Sequence, residues 1–238
     1  HLGVIAYFFQ FDLSFIPGYG RFTLEILAIT DLTSGVHQHR IITSFGPDYP
    51  THANRYSLAN SEGWTMYGSN GVGGFSGSLA ATDDSEHDYE LELTTHTLKD
   101  PIPQFHDGAI DYGTTAEGYP LGTQTLFSRT RLAVAGSVII DGEAQLAFGR
   151  GWSDRQTGIY NQVAGRWFGI QLDDGIGGAV GTDITAFELR DAVTGQLIDR
   201  VGTIAGRAPA CAYVPLTRND LALSYDYSDA YVSSLTGK

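Results

Sequence analysis

The feature that most constrains this chain is a period-two alternation of apolar and polar side chains, which recurs along most of its length. It is clearest over residues 22–28, 89–94 and 132–140. Such alternation places successive side chains on opposite faces of a half-buried β-strand. The period of an amphipathic helix does not persist beyond about two turns anywhere in the sequence. The chain is therefore predicted to be all-β, an antiparallel barrel or sandwich.

Turn signals support the same fold class. The 30 glycines suit the turns, bulges and bends of a curved sheet. Asp141-Gly142 lies between two alternating segments and predicts a tight hairpin. Two long segments that contain prolines, 45–60 and 98–122, are predicted to be loops. Loops of this length inside a compact domain are often binding loops or lids.

Composition excludes several classes of protein. The formal net charge of −13 argues against binding to nucleic acid or to an anionic membrane surface, since both need clustered cations. No apolar run approaches the roughly 20 residues that a membrane span requires. The single cysteine, Cys211, excludes an internal disulfide and a cysteine-rich metal site. It is compatible with a reducing cytosol, so a cytoplasmic location is favoured, and the oligomeric state is left open.

No motif for a cofactor or a metal is present. The sequence lacks a Gly-x-Gly-x-x-Gly fingerprint, a phosphate-binding loop, a Gly-x-Ser-x-Gly elbow and a His-Glu-x-x-His motif. The glycine-rich segment 71–74 continues into Phe75 without a helix pattern or a lysine and is interpreted as a turn. His37 and His39 share one strand face, but no third ligand follows at a suitable spacing. We therefore predict neither a cofactor nor a metal.

The most informative stretch is 149–175, which places the carboxylate of Asp154 between the indole of Trp152 and the guanidinium of Arg155. An acid buried among aromatic side chains is kept protonated, as a general acid for an apolar molecule must be. Trp152 lies two residues earlier on the same strand face and could stabilise a developing carbocation through its π electrons. The alternative is a structural ion pair of Asp154 with Arg155 or with an arginine of the 129–131 segment.

Four segments of the chain resemble one family. They are Phe127-Ser128-Arg129-Thr130-Arg131-Leu132, Val134-x-Gly136, Gly149-x-Gly151-Trp152-x-Asp154-Arg155 and Trp167-Phe168-x-Ile170-Gln171-Leu172-Asp173-Asp174-Gly175. Together they are similar to the lipocalin-like family that contains carotenoid 1,2-hydratase, AttH-type proteins, kievitone hydratase and fungal Diels–Alderases. The resemblance implies two consecutive lipocalin-like, β-rich halves, 1–130 and 131–238, around one apolar cavity. The sequence departs from the family motif at Thr157, where members carry a tryptophan.

The resemblance also implies a function. We expect a cofactor-free enzyme of natural-product biosynthesis that binds a hydrophobic, unsaturated polyketide or terpenoid. A Diels–Alder-type cyclisation is the favoured reaction, because a shaped cavity and one hydrogen-bond donor supply much of what it needs. A hydratase or dehydratase with Asp154 as the proton donor is the alternative. The third hypothesis is a carrier of an apolar ligand that catalyses nothing.

The candidate site residues follow from these hypotheses. The catalytic candidates are Asp154, Trp152 and Arg155. The candidates for substrate binding are mainly aromatic: Trp64, Tyr67, His106, Trp167 and Gln171. His106 lies in the second long loop, where it could gate the site or transfer a proton. The paired acids Asp173 and Asp174 precede a glycine and are interpreted as a hairpin turn, in which Asp bonds its own backbone.

Overall fold

The computed structural model describes residues 1–45, 51–52, 55–81, 87–115, 117–172, 181–206 and 212–224, with the backbone alone at 51, 52 and 160. These residues form sixteen strands and no helix, which confirms the predicted all-β class. The described ranges therefore contain no helix with the length and apolar character needed to cross a membrane. The strands are β1 (Leu2–Asp12), β2 (Arg21–Asp31), β3 (His37–Phe45), β4 (Thr51–His52), β5 (Arg55–Ala59), β6 (Thr65–Ser69), β7 (Val72–Leu79), β8 (Tyr89–Thr97), β9 (Ile102–Pro103), β10 (Ala109–Asp111), β11 (Gly122–Ile140), β12 (Glu143–Tyr160), β13 (Val163–Gln171), β14 (Asp183–Asp191), β15 (Leu197–Ala205) and β16 (Tyr213–Leu216).

The chain divides into two compact units, and each takes two separate stretches of sequence. Unit 1 comprises His1–Asp100 and Arg131–Trp152, and unit 2 comprises Pro101–Thr130 and Ser153–Lys238. The long strands β11 and β12 contribute to both units. Each unit takes residues from both sides of position 130, and the division into halves 1–130 and 131–238 stays a prediction.

Unit 1 is built from two antiparallel arrays of strands. The first is a three-stranded sheet in the order β1-β2-β3, and the second runs β11-β8-β7-β6-β5-β4. Because successive side chains of a strand point to opposite faces, each sheet directs one set of apolar side chains inward. Leu27 and Ile29 of β2 meet Trp64, Phe75 and Leu91 from the second array in one buried cluster. The same alternation had predicted β2 and β8 from the sequence.

Unit 2 combines the ends of the long hairpin with a separate sheet. The pairs β10–β11 and β9–β11 are antiparallel, and the four-stranded sheet has the order β13-β14-β15-β16. The apolar core of this unit is smaller than that of unit 1. It consists of Phe105, Tyr112, Leu121, Leu126, Phe187 and Leu189.

The predicted hairpin at Asp141-Gly142 joins β11 to β12. Both turn residues have positive φ angles, 52° and 84°, which Gly adopts readily and Asp adopts more readily than most other residues. The carboxylate of Asp141 accepts hydrogen bonds from the backbone N–H of Asp88 (2.9 Å) and from Nδ1 of His87 (2.7 Å). These bonds fix the turn against the residues that lead directly into β8.

Candidate functional site

The candidate site lies in unit 2, where one face of β11 carries buried polar side chains. From Gln124 to Thr130 every second residue is buried, and the residues between them are largely exposed. Only Leu126 in this inward row is apolar, and it belongs to the core of unit 2. Ser128 and Thr130 are both 0% exposed. Buried hydroxyls need hydrogen-bond partners, so the partners of these two residues define the local chemistry.

The partner of Ser128 is the predicted catalytic carboxylate. Oγ of Ser128 donates to Oδ1 of Asp154 across 2.5 Å. On the exposed face of the same two strands, Thr125 and Thr157 bond through their hydroxyls at 2.6 Å. Both bonds fit a single pairing of β11 with β12. The side chain of Asp154 therefore lies on the same face of the two strands as buried Ser128. Asp154 is nevertheless exposed to solvent.

The partner of Thr130 is a second carboxylate, that of Asp183 on β14. Oγ1 of Thr130 donates to Oδ2 of Asp183 at 2.8 Å, and both residues are buried. The carbonyl of Thr130 accepts from Nε2 of Gln171 at 2.7 Å. Gln171, a predicted substrate-binding residue, is thus held two positions along β11 from the serine that holds Asp154.

A third polar contact in the interior of unit 2 joins Thr185 of β14 to Gln104. Oγ1 of Thr185 donates to Oε1 of Gln104 at 2.6 Å, and both residues are completely buried. Nε2 of Gln104 and Oγ1 of Thr203 are buried without a hydrogen-bond partner among the described residues. The interior of unit 2 therefore retains hydrogen-bonding capacity beside its apolar core.

Strand β13 contributes the predicted aromatic residue of this site. Trp167 lies opposite Phe187, and Gln171 lies opposite Asp183. Directly opposed residues in a sheet share a face, so Trp167 and Gln171 lie on the side that carries the core of unit 2. Trp167 is nevertheless 42% exposed. Asp154 on β12 and Trp167 on β13 are thus inward-facing residues that solvent still reaches.

The remaining predicted residues of unit 2 do not join this group. Arg155 follows Asp154 directly in β12, so strand alternation places it on the opposite face. His106 is exposed and has a positive φ of 80°. Its neighbour Phe105 instead enters the core, with its ring centroid 4.9 Å from that of Phe187.

Three predicted residues belong to unit 1. Trp64 is 1% exposed and fills the apolar cluster of that unit, with its Nε1 donating to the carbonyl of Ser78 at 3.0 Å. Tyr67 is exposed, and its ring covers the backbone of Gly74. Trp152 is half-buried. Trp64 therefore has a packing role.

One physical expectation about Asp154 is wrong. The sequence predicted an acid buried among aromatic side chains, but the residue is exposed and hydrogen-bonded by Ser128. The predicted turn residues Asp173 and Asp174 lie outside the described residues.

The polar residues of β11 and β14 were missed by sequence reasoning. Ser128 and Thr130 occur in the segment that resembles the family, but alternation alone does not distinguish a polar inward row from a solvated one. In the described ranges, no group of three or more His, Cys, Asp or Glu side chains is placed to hold a metal ion.

Comparison with known proteins gives the fold class. No protein-family model matches the sequence, and no curated protein sequence matches it. Solved structures do match. They show that the chain has an antiparallel, lipocalin-like β fold, as predicted.

Two of these structures carry informative names. One is the crystal structure of a protein assigned as an AttH from Nitrosomonas europaea, with a TM-score of 0.62 and 20% identity over 92% of this chain and 63% of that chain. The other is kievitone hydratase from Nectria haematococca, with a TM-score of 0.64 and 16% identity over 98% of this chain and 64% of that chain. The chain thus spans less than two thirds of either protein.

Proposed function

We propose that this chain is part of a hydratase-type enzyme that adds water across a carbon–carbon double bond of an apolar small molecule. The observation that carries the proposal is the hydrogen bond from buried Ser128 to Asp154, which fixes one carboxyl group on the inward face of unit 2. The shared fold with a protein named kievitone hydratase supports this reaction class. Asp154 is also the acid that the sequence resemblance selects.

The proposed reaction needs one acid and one water molecule. The protonated carboxyl of Asp154 gives its proton to one alkene carbon, so a C–H bond forms as the O–H bond breaks. Water attacks the neighbouring cationic carbon and forms the C–O bond. The added water then returns a proton to the carboxylate, which restores the acid. Ser128 keeps Oδ1 in one orientation throughout, and Trp167 offers an apolar surface on the same side of the unit.

Because Asp154 is exposed, a substrate that binds over it would change the surroundings of its carboxyl group. An apolar molecule that covers β12 and β13 would remove water from the carboxyl group and favour its neutral form. The pH profile tests this step, because kcat/KM reports the free enzyme and kcat reports the substrate complex. We expect both to fall as pH rises, with the fall in kcat at the higher pH.

The direct experiment is incubation with a panel of apolar alkenes, including kievitone, in water labelled with oxygen-18. Hydration introduces one labelled oxygen into the product. Asp154→Asn should lower kcat at least about 100-fold, the usual contribution of a general acid. The control is Glu143→Gln, which neutralises an exposed carboxylate near the start of the same strand. Labelled product formed by Asp154→Asn at the wild-type rate would exclude the proposed role.

The same experiment separates the other functions predicted from the sequence. An unlabelled isomer of the substrate would support the cyclase hypothesis instead, including a Diels–Alder-type reaction on a polyketide or terpenoid. Tight binding of apolar dyes without turnover of any alkene would support the carrier. The cofactor-free character of the reaction is itself part of the proposal, and added cofactors should not change the rate.

A further inference from the structure

The outward face of the three-stranded sheet in unit 1 is mostly apolar. Strand pairing places five rows of side chains on this face. We call the four rows that contain Ile5, Tyr7, Phe9 and Phe11 the aromatic face. Its apolar members are Ile5, Tyr7, Phe9, Phe11, Phe22, Leu24, Ile26, Ala28, Ile41 and Phe45, and the same rows also contain His39 and Thr43. The opposite face of the same sheet carries Leu27 and Ile29 into the core. Strands β1 and β2 thus carry apolar side chains on both faces, although the inward row of β2 also contains Thr23 and Glu25. Strands with apolar side chains on both faces are typical of strands covered on both sides.

Ring contacts make the aromatic face continuous. Phe9 lies between Tyr7 and Phe11, with ring centroids 5.3 Å and 6.3 Å away. The row continues from Phe11 to Phe22 at 6.0 Å and from Phe22 to Phe45 at 5.5 Å. These separations are those of favourable aromatic pairs. The rings therefore form one ordered surface across all three strands.

Solvent reaches this surface. Phe9 is 38% exposed, Phe11 41% and Phe45 62%. A sheet of three strands, each 11 residues or fewer, has a face of about 500 Å² from the usual strand dimensions. Contiguous apolar patches of this size on soluble proteins generally mark interaction sites.

Charge and area favour a second copy of this chain as the occupant. The aromatic face contains no Asp, Glu, Lys or Arg, whereas the whole chain has a formal net charge of −13. Two copies of this chain repel each other through most of their surfaces, but here they can meet without placing like charges opposite one another. Two such faces would bury about 1,000 Å² in total, which reaches the lower limit for a specific interface.

We propose that the aromatic face is a self-association surface, on which two copies of this chain pack sheet against sheet. The two sheets would lie about 10 Å apart with their strands nearly aligned, as in a β-sandwich. A two-fold axis near the middle of the central strand β2 makes the contact self-complementary. The aromatic rings of each copy then fill the spaces between those of the other.

Sedimentation equilibrium of the wild-type chain over a wide range of concentration tests this proposal. We expect a reversible dimer that tightens as salt is added, because salt screens the repulsion between the acidic copies. Phe9→Lys places a charge in the middle of the face and should raise the dissociation constant at least about 30-fold. The matched control is Phe148→Lys, at an aromatic residue of unit 1 that is 78% exposed and lies outside the face. Circular dichroism checks that both variants fold.

A second measurement covers the case in which Phe9→Lys does not fold. Leu24→Cys in a Cys211→Ser background leaves one thiol near the proposed two-fold axis. A short homobifunctional maleimide should cross-link two copies, because sheets about 10 Å apart are too far apart for a direct disulfide. The same change at Phe148 should not allow cross-linking. A wild-type chain that stays monomeric at every concentration overturns the proposal. Equal dissociation by Phe9→Lys and Phe148→Lys overturns it as well.

Discussion

Ser128 and Asp154 are joined by a 2.5 Å hydrogen bond that leads from the interior of unit 2 to its surface. The serine is completely buried, whereas the aspartate residue is exposed. A donor fixed by packing can hold a carboxyl group that solvent and substrate still reach. Strands β11 and β12 thus supply an oriented acid without enclosing it.

The first prediction concerns this bond. Ser128→Ala removes the donor but leaves the carboxyl group of Asp154 in place. We expect kcat for alkene hydration to fall about 10-fold to 100-fold with little change in KM, because orientation of the acid matters in the transition state more than in binding. Steady-state kinetics with the best substrate of the alkene panel measure both constants.

The control for this prediction is Thr125→Ala. It removes the hydroxyl pair with Thr157 between the same two strands, on their exposed face. That variant should keep the wild-type kcat. Equal losses in Ser128→Ala and Thr125→Ala would mean that the two bonds act only through the pairing of β11 with β12.

The second prediction separates packing from ligand binding among the tryptophans. Trp64→Phe removes a buried indole and its bond to the carbonyl of Ser78, so it should lower the free energy of unfolding by about 2 kcal/mol. Trp167→Phe changes an exposed ring and should stay within about 0.5 kcal/mol of wild type. Urea denaturation provides both values. Under the proposed function, KM should rise in Trp167→Phe and stay unchanged in Trp64→Phe, and the reverse order would contradict it.

The third prediction concerns the buried carboxylate of Glu188. Arg190 and Arg200 approach its two oxygens to 2.9 Å and 2.8 Å, and Arg166 lies opposite it on β13. The hydrogen bond from Arg190, followed by that from Arg200, lowers the pKa of Glu188 despite its burial. Glu188→Gln removes the negative charge that these partly exposed guanidinium groups contact, and it should lower the free energy of unfolding by about 2 kcal/mol, the usual cost of losing a hydrogen bond to a charged group.

Glu62→Gln is the matched control for this change. It breaks the pair with Arg40, which has a similar separation of 2.8 Å but is partly exposed on both sides. Exposed pairs contribute less than about 1 kcal/mol. Chemical denaturation at neutral pH distinguishes the two variants, and equal costs would show that burial of Glu188 does not matter.

The sequence predicted the fold class because alternation and turn chemistry are local. Asp141-Gly142 marked its hairpin, and the apolar rows of β2 and β8 marked their inward faces. The division into units could not be read in the same way. Strands β11 and β12 are long enough to serve two cores, and nothing local shows where a strand passes from one core to the next.

The site was predicted in part. Strand alternation places Arg155 opposite to Asp154, and this was already implied by their adjacency. The solvent exposure of Asp154 could not be predicted, because strand alternation gives the face on which a residue lies but not how exposed it is. Thr130 and Asp183 are 53 residues apart in sequence, and only the packing of β11 near β14 makes them partners.

The last prediction uses the carboxylate of Asp141. The hydrogen bond from the backbone N–H of Asp88, and then that from His87, hold the pKa of Asp141 below its ordinary value of 3.8. A carboxyl whose pKa is lower in the folded state contributes stability above its unfolded pKa and loses that contribution as pH falls through its folded pKa. Asp141→Asn keeps a residue that tolerates the positive φ of the turn but removes the charge. It should therefore be less stable than wild type at neutral pH, and the difference should shrink below about pH 4. Urea unfolding from about pH 7 to about pH 2 measures this difference, and other acids such as Asp31 contribute equally to both proteins. Glu143→Gln, in the same hairpin, is the control. A difference between wild type and Asp141→Asn that does not change with pH would show that the carboxylate does not stabilise the turn.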